Sequence, residues 1–247
     1  VWRVSDSHRL AALAAAVLAI NIPNIHFSRI LTYIHPWLYG VWTMFFFVDG
    51  LRARRNLSFV LAGIGLAFCV QMYFSGRAIA FIIVALLAWA ALFRRAWVTD
   101  NVGRLALFGL SVLVGLGPSA VFILRNIGIF MSRTSEVFIL NPAVMTHMKG
   151  MLGQTTVEGV MLQQVKRSLL MFNYYGDTST QFGLPEPMFT QAISPFVVLG
   201  FFIALLRPRR PGHALGLIWW AIILMTGAIL TGEPPFWPRL QGMPPIG

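Results

Sequence analysis

The chain has 247 residues, of which 57% are hydrophobic and only 11% are charged, and its formal net charge is +11. Soluble domains carry about 25% charged residues, so this composition excludes an ordinary soluble protein and indicates an integral membrane protein. The net positive charge does not indicate a nucleic-acid-binding protein, because the arginines lie in short clusters between apolar segments rather than along one face. The single cysteine, Cys69, lies inside an apolar segment and excludes a disulfide within the chain.

Apolar segments alternate with short polar turns along most of the chain. We predict an all-α polytopic membrane protein with about seven transmembrane helices, each close to the ~20 residues that span a bilayer, and one long, partly helical outer loop. The predicted segments cover residues 10–27, 30–49, 57–74, 78–93, 105–124, 192–206 and 214–230. The chain then divides into a five-helix block at 1–125, the loop at 126–191, and a two-helix block with the start of a further segment at 192–247.

The placement of arginine predicts the orientation of these segments. With Arg3 and Arg9 inside and strict alternation, the short inside turns are rich in arginine, as the positive-inside rule requires. The long loop then lies on the extracytoplasmic side, together with the short turns at 26–29, 75–77 and 231–233. We expect an integral membrane protein whose long loop is extracytoplasmic.

The loop at 126–191 is too polar to lie in lipid, so it must lie in water or at the interface. Within it, four apolar residues recur at helical spacing beside Lys166 and Arg167, which predicts an amphipathic helix over residues 152–172; they are Leu162, Val165, Leu169 and Phe172. Such a helix either lies along the membrane interface or packs under the loop.

Two single arginines lie in short turns on the predicted outer side, where the positive-inside rule predicts few basic residues. Arg29 and Arg77 each follow an apolar segment on the predicted outer side. An arginine there either extends to lipid headgroups or binds a phosphate group, for which its planar, bidentate guanidinium is suited.

Several phrases, in the same order along the chain, resemble one family. They are NIHFSR (24–29), YFSGRA (73–78), MSRTSEVFILNP (131–142), LMFNYYGD (170–177), GLPEPM (183–188) and RLQGMPP (239–245). Together they resemble bacterial membrane glycosyltransferases of family 39, which are related to dolichyl-phosphate-mannose-protein mannosyltransferases and have the C-type multi-helix fold. The resemblance covers nearly the whole chain, and it implies a protein of the bacterial cytoplasmic (inner) membrane.

The resemblance implies an inverting enzyme that takes a sugar from a polyprenyl-phosphate carrier and passes it to an acceptor on the outer face. In such enzymes an acidic residue of the first outer loop is the general base. That loop has no counterpart here, and Asp6 falls on the inside, so we expect the base upstream of Val1 and this chain to be an internal piece that is inactive alone. The sugar, the acceptor (protein, lipid or glycan) and the oligomeric state stay open.

The resemblance and the charge pattern together select the candidate site residues. Arg29 and Arg77 are the candidates for the carrier phosphate, with His26 and Ser28 beside them. Further candidates for phosphate, sugar or acceptor are Arg133, Asn173, Tyr174, Asp177 and Arg239. For Asp177 the alternative is a solvated or turn-forming loop carboxylate.

We expect no cofactor. The histidines at 26, 35, 147 and 213 have no metal-ligand spacing, and the involvement of a divalent ion stays open. The alternative functions are a transporter or flippase for a lipid-linked substrate and a non-catalytic membrane subunit. The near absence of charge inside the apolar segments argues against a transport path.

Overall fold

The computed structural model describes residues 7–19, 36–72, 74–177 and 183–240. The structure is 78% helical, and the only β-pairing in the described ranges is an isolated bridge between Phe138 and Thr231. The predicted all-α class is therefore confirmed.

The helices follow one another with short connections. In chain order they are α1 (His8–Ala19), α2 (Pro36–Ala53), α3 (Asn56–Met72), α4 (Ala78–Phe93), α5 (Arg95–Thr99), α6 (Val102–Leu116), α7 (Pro118–Arg125), α8 (Ile127–Val137), α9 (Pro142–Leu152), α10 (Val157–Leu170), α11 (Ser194–Leu206), α12 (Pro211–Leu224) and α13 (Trp237–Leu240). The loop predicted at 126–191 thus contains α8, α9 and α10.

Within the described residues, two helices are long and apolar enough to cross a membrane. One runs from a 3₁₀ turn into α4 and covers Ser75–Phe93, and the other covers Pro211–Ile229, where α12 ends in a π-helical turn. The bent pair α6 and α7 adds a third if it forms one span, and α3 and α11 are apolar but shorter. These findings support a membrane protein, whereas the seven crossings stay a prediction.

The segment predicted at 105–124 is broken rather than straight. α6 and α7 meet at an angle of 80°. The break falls at Gly117, whose φ of +44° suits glycine, and at Pro118, which has no N–H for a continuous helix. Gln71 stabilises the break, since its Nε2 donates to the carbonyl of Gly115 at 3.1 Å and its Oε1 accepts from Ser119 Oγ at 2.6 Å.

The contacts divide the chain into two units. The first takes the described residues within Val1–Ala12, Ile34–Phe130 and Arg207–Ile218, and the second takes those within Leu13–Tyr33, Met131–Leu206 and Trp219–Gly247. The predicted division into three blocks stays a prediction.

In the first unit, small residues bring α3 and α6 into close contact. A Cβ at Gly63 would lie 2.6 Å from both the carbonyl oxygen of Phe108 and Cβ of Ser111. One turn later, a Cβ at Gly115 would lie 2.7 Å from Cβ of Ala67. The spacing of four residues on both helices is the small-residue pattern that lets membrane helices approach closely.

In the second unit, the chain after the π-helical turn is fixed against α8 and α9. The N–H of Ile139 donates to the carbonyl of Leu230 at 2.9 Å, and the N–H of Gly232 donates to the carbonyl of Val137 at 2.9 Å. Beneath this pairing, a core of buried side chains joins α9 to α10; its members are Ile139, Met145, Met148 and Val160.

The amphipathic helix predicted at 152–172 is α10. Its buried face carries Gln164 and Ser168, both 0% exposed, while Leu162 is 70% exposed and Leu169 is 48% exposed. Gln164 Nε2 donates to the carbonyl of Thr231 at 2.7 Å. Phe172, which the prediction assigns to the same apolar stripe, is only 7% exposed, so the stripe is not one exposed face and both alternatives for this helix stay predictions.

We expect Gly63→Ala to destabilise the first unit by about 1–3 kcal/mol, because a methyl group there overlaps backbone and side chain of α6. Gly109→Ala is the matched control, since a Cβ at this position of α6 meets nothing within 4 Å. Thermal unfolding of the detergent-solubilised protein measures both variants. Equal melting temperatures for the two would contradict the close helix contact.

Candidate functional site

The predicted site residues differ in how far the structure describes them. His26, Ser28 and Arg29 lie outside the described residues. Arg133 belongs to α8, but its side chain is also outside the described part. Their roles therefore stay predictions. The structure describes the side chains of the other five candidates, which are Arg77, Asn173, Tyr174, Asp177 and Arg239.

Arg77 ends the 3₁₀ turn Phe74–Arg77, at the start of a helix of membrane-spanning length. Its Nη2 donates to the backbone carbonyl of Phe130 at 3.0 Å, and its Cζ lies 3.5 Å from the centre of the Phe130 ring. Stacking on an aromatic face fixes the plane of a guanidinium. The structure thus holds Arg77 in a defined orientation at the end of the span.

Two buried hydrogen-bond donors lie at the same end of the first unit. Ser75 is 9% exposed and Trp37 is 7% exposed, yet neither Ser75 Oγ nor Trp37 Nε1 has a hydrogen-bond partner within the described residues. The start of α2 lies against the start of α4, because a Cβ at Gly40 would lie 2.8 Å from Ile79 Cδ1 and 3.7 Å from Trp37 Cε3. Buried polar groups are ordinarily hydrogen-bonded, so these two donors could each bind an acceptor, as could Thr43 Oγ1 and His213 Nδ1 elsewhere in the unit.

The chemistry of this group selects the kind of ligand. An indole N–H and a guanidinium are donors only, and a hydroxyl can donate as well. Donors of these kinds suit an anion with several acceptor oxygens, such as a phosphate or a carboxylate. Ser75 and Arg77 are two positions apart in one helical turn, so their side chains point to different sides of it. We call Trp37, Ser75 and Arg77 the donor cluster.

In the second unit, two of the predicted site residues lie at the surface just after α10. Asn173 is exposed and Tyr174 is 71% exposed, and the ring of Tyr174 meets that of Tyr175 edge-on at 4.9 Å. Arg167 lies with its Cζ 5.6 Å from the Tyr175 ring. These exposed side chains are accessible to a ligand, and their predicted role stays a prediction.

Asp177 is not a solvated loop carboxylate, since it is only 1% exposed. Its Oδ2 accepts a hydrogen bond from the backbone N–H of Trp237, the first residue of α13, at 2.8 Å. Arg239, on the same short helix, is 6% exposed and donates from Nη1 to the carbonyl of Gly232 at 2.7 Å. Both predicted residues therefore contact the segment at 231–240, where they have a structural role in addition to any role in binding.

Gly176 explains why Asp177 reaches this buried position. A side chain at Gly176 would overlap the backbone carbonyl of Pro185, because the residues after α10 run beside those before α11. The N–H of Met188 donates to the carbonyl of Met171 at 2.9 Å along the same contact. Trp237 also contacts this segment, since its Nε1 donates to the carbonyl of Leu184 at 3.3 Å.

Comparisons of the chain with protein families, curated proteins and solved structures found no match. The resemblance to family 39 glycosyltransferases therefore stays a prediction. In the described part of the chain, no group of three or more His, Cys, Asp or Glu side chains is placed to hold a metal ion.

Sequence reasoning missed four residues that the geometry singles out. Ser75 and Trp37 belong to the donor cluster, but nothing in the sequence distinguishes a satisfied tryptophan N–H from an unsatisfied one. His147 and Glu233 meet at 3.3 Å, from Nε2 to Oε1, although 86 positions separate them along the chain (233 − 147). The signal available for Glu233 was its place before two prolines in TGEPP.

We expect Asp177→Ala to destabilise the second unit by about 1–3 kcal/mol, because the buried N–H of Trp237 loses its acceptor. Glu186→Ala is the control, since Glu186 lies nearby along the chain and is exposed. Thermal unfolding and limited proteolysis report the difference. An Asp177→Ala protein as stable as the control would show that the carboxylate does not fix α13.

Proposed function

We propose that the chain is part of a membrane glycosyltransferase that takes a sugar from a polyprenyl-phosphate carrier and passes it to an acceptor on the extracytoplasmic face. The observation that carries this proposal is the donor cluster of Trp37, Ser75 and Arg77 at one end of an apolar helix of membrane-spanning length. A lipid-linked phosphate is an anion whose oxygens would lie near the end of a membrane-spanning helix.

The donor cluster fits the part of the reaction in which charge leaves the sugar. When an acceptor oxygen attacks C1, the bond between C1 and the phosphate oxygen breaks, and the electron pair departs with the phosphate. An oriented arginine and two N–H or O–H donors stabilise the negative charge that develops there. Donors already oriented by the fold do this without reorganising during the reaction.

The motifs and the charge pattern support the same function independently. YFSGRA at 73–78, one of the phrases that resemble family 39, contains two members of the donor cluster, Ser75 and Arg77. The predicted topology assigns this turn to the outer side, where such enzymes meet their lipid-linked donor. A sugar donor, a bilayer and a hydroxyl-bearing acceptor are the partners that the proposal requires.

A flippase or transporter for a lipid-linked substrate is the second candidate. The break between α6 and α7 favours it, because transporters often place substrate sites at interrupted membrane helices. Against it, the side-chain amide of Gln71 at this break already forms hydrogen bonds, from Nε2 to the carbonyl of Gly115 and to Oε1 from Ser119 Oγ. Those bonds stabilise the break and leave the amide less able to bind a substrate.

We expect Arg77→Ala to abolish the release of sugar from radiolabelled polyprenyl-phosphate sugar in bacterial membranes that contain the protein at its full natural length. Arg77→Lys retains charge but loses the planar, bidentate donor, so we expect it to recover only part of the activity. Arg95→Ala is the matched control, because Arg95 is exposed just past the other end of α4.

Full activity in Arg77→Ala would contradict the assignment of the phosphate to this residue. If labelled carrier crosses the bilayer intact and no sugar is released by the unmodified protein, the flippase replaces the glycosyltransferase.

Two tryptophan variants separate binding from stability. Trp37→Phe removes an N–H that has no partner within the described residues, so we expect unchanged stability and weaker binding of polyprenyl phosphate. Trp89→Phe removes an N–H that donates to the carbonyl of Pro208 at 3.0 Å, so we expect a loss of about 0.5–1.5 kcal/mol and unchanged binding. Thermal unfolding with and without polyprenyl phosphate measures both effects, and the reverse pattern would refute the donor cluster.

A further inference from the structure

Exposed arginines lie close together in the first unit, where one helix of membrane-spanning length ends and the other begins. The helix Ser75–Phe93 ends directly before Arg94, and the helix Pro211–Ile229 begins directly after the turn at 207–210. A hydrogen bond from the N–H of Arg210 to the carbonyl of Arg207, at 3.1 Å, closes that turn. The arginine cluster, as we call it, consists of four exposed side chains, which are Arg94, Arg207, Arg209 and Arg210.

Two contacts hold the two parts of the arginine cluster together. Trp89 Nε1 donates to the carbonyl of Pro208 at 3.0 Å, although 119 positions separate the two residues along the chain. Cζ of Arg209 lies 5.9 Å from the centre of the Phe93 ring, which is a cation–π distance. Because Arg94 directly follows Phe93, the positive charges of both segments lie near each other at this end of the helix.

The arginine cluster has no acidic partner in the described part of the chain. Among those residues, none of its four guanidinium groups donates a hydrogen bond or takes part in an ion pair. The only acidic side chains described in the first unit are Asp49 and Asp100, and both have other partners: Asp49 accepts from Ser58, and Asp100 is paired with Arg54. Like charges that are held together repel each other, so an anion from outside the unit would stabilise this arrangement.

The positive-inside rule does not by itself account for the arginine cluster. The rule predicts basic residues in each short inside turn, and it is satisfied whether or not those turns meet. In the structure two such turns meet through an aromatic ring and a backbone carbonyl, without a neutralising carboxylate. Their charge is therefore concentrated at one place on the surface of the unit.

The surroundings of the arginine cluster favour a lipid headgroup as the anion. A guanidinium binds phosphate oxygens through two parallel N–H donors, which suits any phosphate group. Next to the cluster, however, Leu92 is 78% exposed and Phe93 is 47% exposed, so an apolar surface adjoins the charged one. The rings of Trp89 and Trp97 meet edge-on at 6.2 Å at the same end, and tryptophan is enriched at membrane interfaces. A phospholipid matches both surfaces, whereas a free phosphate ion matches only the arginines.

We propose that the arginine cluster binds the phosphate of an anionic phospholipid of the cytoplasmic leaflet, with the acyl chains along Leu92 and Phe93. The predicted topology assigns this end of both helices to the inside, where anionic lipids attract basic groups close to the membrane surface. The binding surface uses no residue of the donor cluster, and the inference does not depend on the proposed sugar transfer.

The test offers phosphatidylglycerol and phosphatidylcholine in equal amounts to the purified protein, at its full natural length in detergent, and counts the retained lipids by native mass spectrometry. We expect the protein to retain phosphatidylglycerol in preference to phosphatidylcholine. Arg94→Gln combined with Arg209→Gln should lower the affinity for phosphatidylglycerol about tenfold or more, because charge-assisted hydrogen bonds to the phosphate are lost. Arg94→Lys combined with Arg209→Lys keeps both charges but loses the bidentate donors, so we expect a smaller loss.

The matched control combines Arg9→Gln with Arg55→Gln, which removes the same charge from two exposed positions outside the cluster but on the same predicted side. We expect this control to keep the affinity of the unmodified protein. Without lipid, all of these variants should melt at the temperature of the unmodified protein, since the substituted side chains are exposed.

Equal retention of the two lipids by the unmodified protein overturns the inference, and so does a loss of affinity in the control as large as that in the glutamine pair. Displacement of phosphatidylglycerol by an equal concentration of inorganic phosphate also overturns it, because the site then binds a free anion. If the glutamine pair melts lower without lipid, the lysine pair decides, and an undiminished affinity in that pair overturns the inference.

Discussion

The first unit is governed by the need of every polar group in apolar surroundings to find a partner inside the protein. Ser58 Oγ donates to the buried carboxylate of Asp49 at 2.8 Å, and Trp89 Nε1 donates to the carbonyl of Pro208 at 3.0 Å. Both bonds join segments that are separated along the chain, so satisfying these groups also holds the helices together. The donors of Trp37 and Ser75 depart from that rule, at the end of the unit where Arg77 lies. Thr43 Oγ1 and His213 Nδ1 are further buried atoms of the first unit without a hydrogen-bond partner within the described residues, so it is the position of Trp37 and Ser75 near the turn that carries Arg77 that gives their donors a possible ligand.

In the second unit the corresponding constraint acts on the segment at 231–240. Polar groups from several elements hold it, among them Gln164 of α10 and Asp177 of the chain that follows α10. Because these partners are buried, the backbone on either side of Glu233 has little freedom to relax. The same fixation that stabilises the unit therefore presents the exposed carboxylate to His147 in one geometry.

Local composition was sufficient to predict the helical class and the spans at 78–93 and 214–230, since uninterrupted apolar runs of that length have few other structures available. The span at 78–93 begins three residues earlier than predicted, because the turn that carries Arg77 continues directly into the helix (78 − 75). The break between α6 and α7 was not predicted. Gly117 and Pro118 permit it, but it is stabilised by Gln71, which lies 44 residues from its partner in sequence.

The site was harder to predict than the fold, because its geometry also depends on contacts between residues that are far apart in sequence. Arg77 was selected because its charge contradicts the local pattern, and Asp177 because it stands in a polar phrase. The burial of Asp177 depends on Trp237, 60 residues away, and the pairing of His147 with Glu233 depends on the packing of α9. No window of neighbouring residues contains such information, so propensity and periodicity do not reach it.

The backbone contact at Gly176 has a consequence for recognising distant relatives. In lipid-facing helices leucine, isoleucine, valine and phenylalanine exchange at little cost, so overall similarity is lost early between diverging membrane proteins. The position of Gly176 tolerates no side chain, and its neighbour Asp177 must accept from a backbone N–H 60 residues later. A glycine followed by an aspartate, with Trp-Pro-Arg about that distance downstream after an apolar segment, is therefore a pattern that can persist after the helices have diverged, and it identifies candidate relatives through backbone geometry.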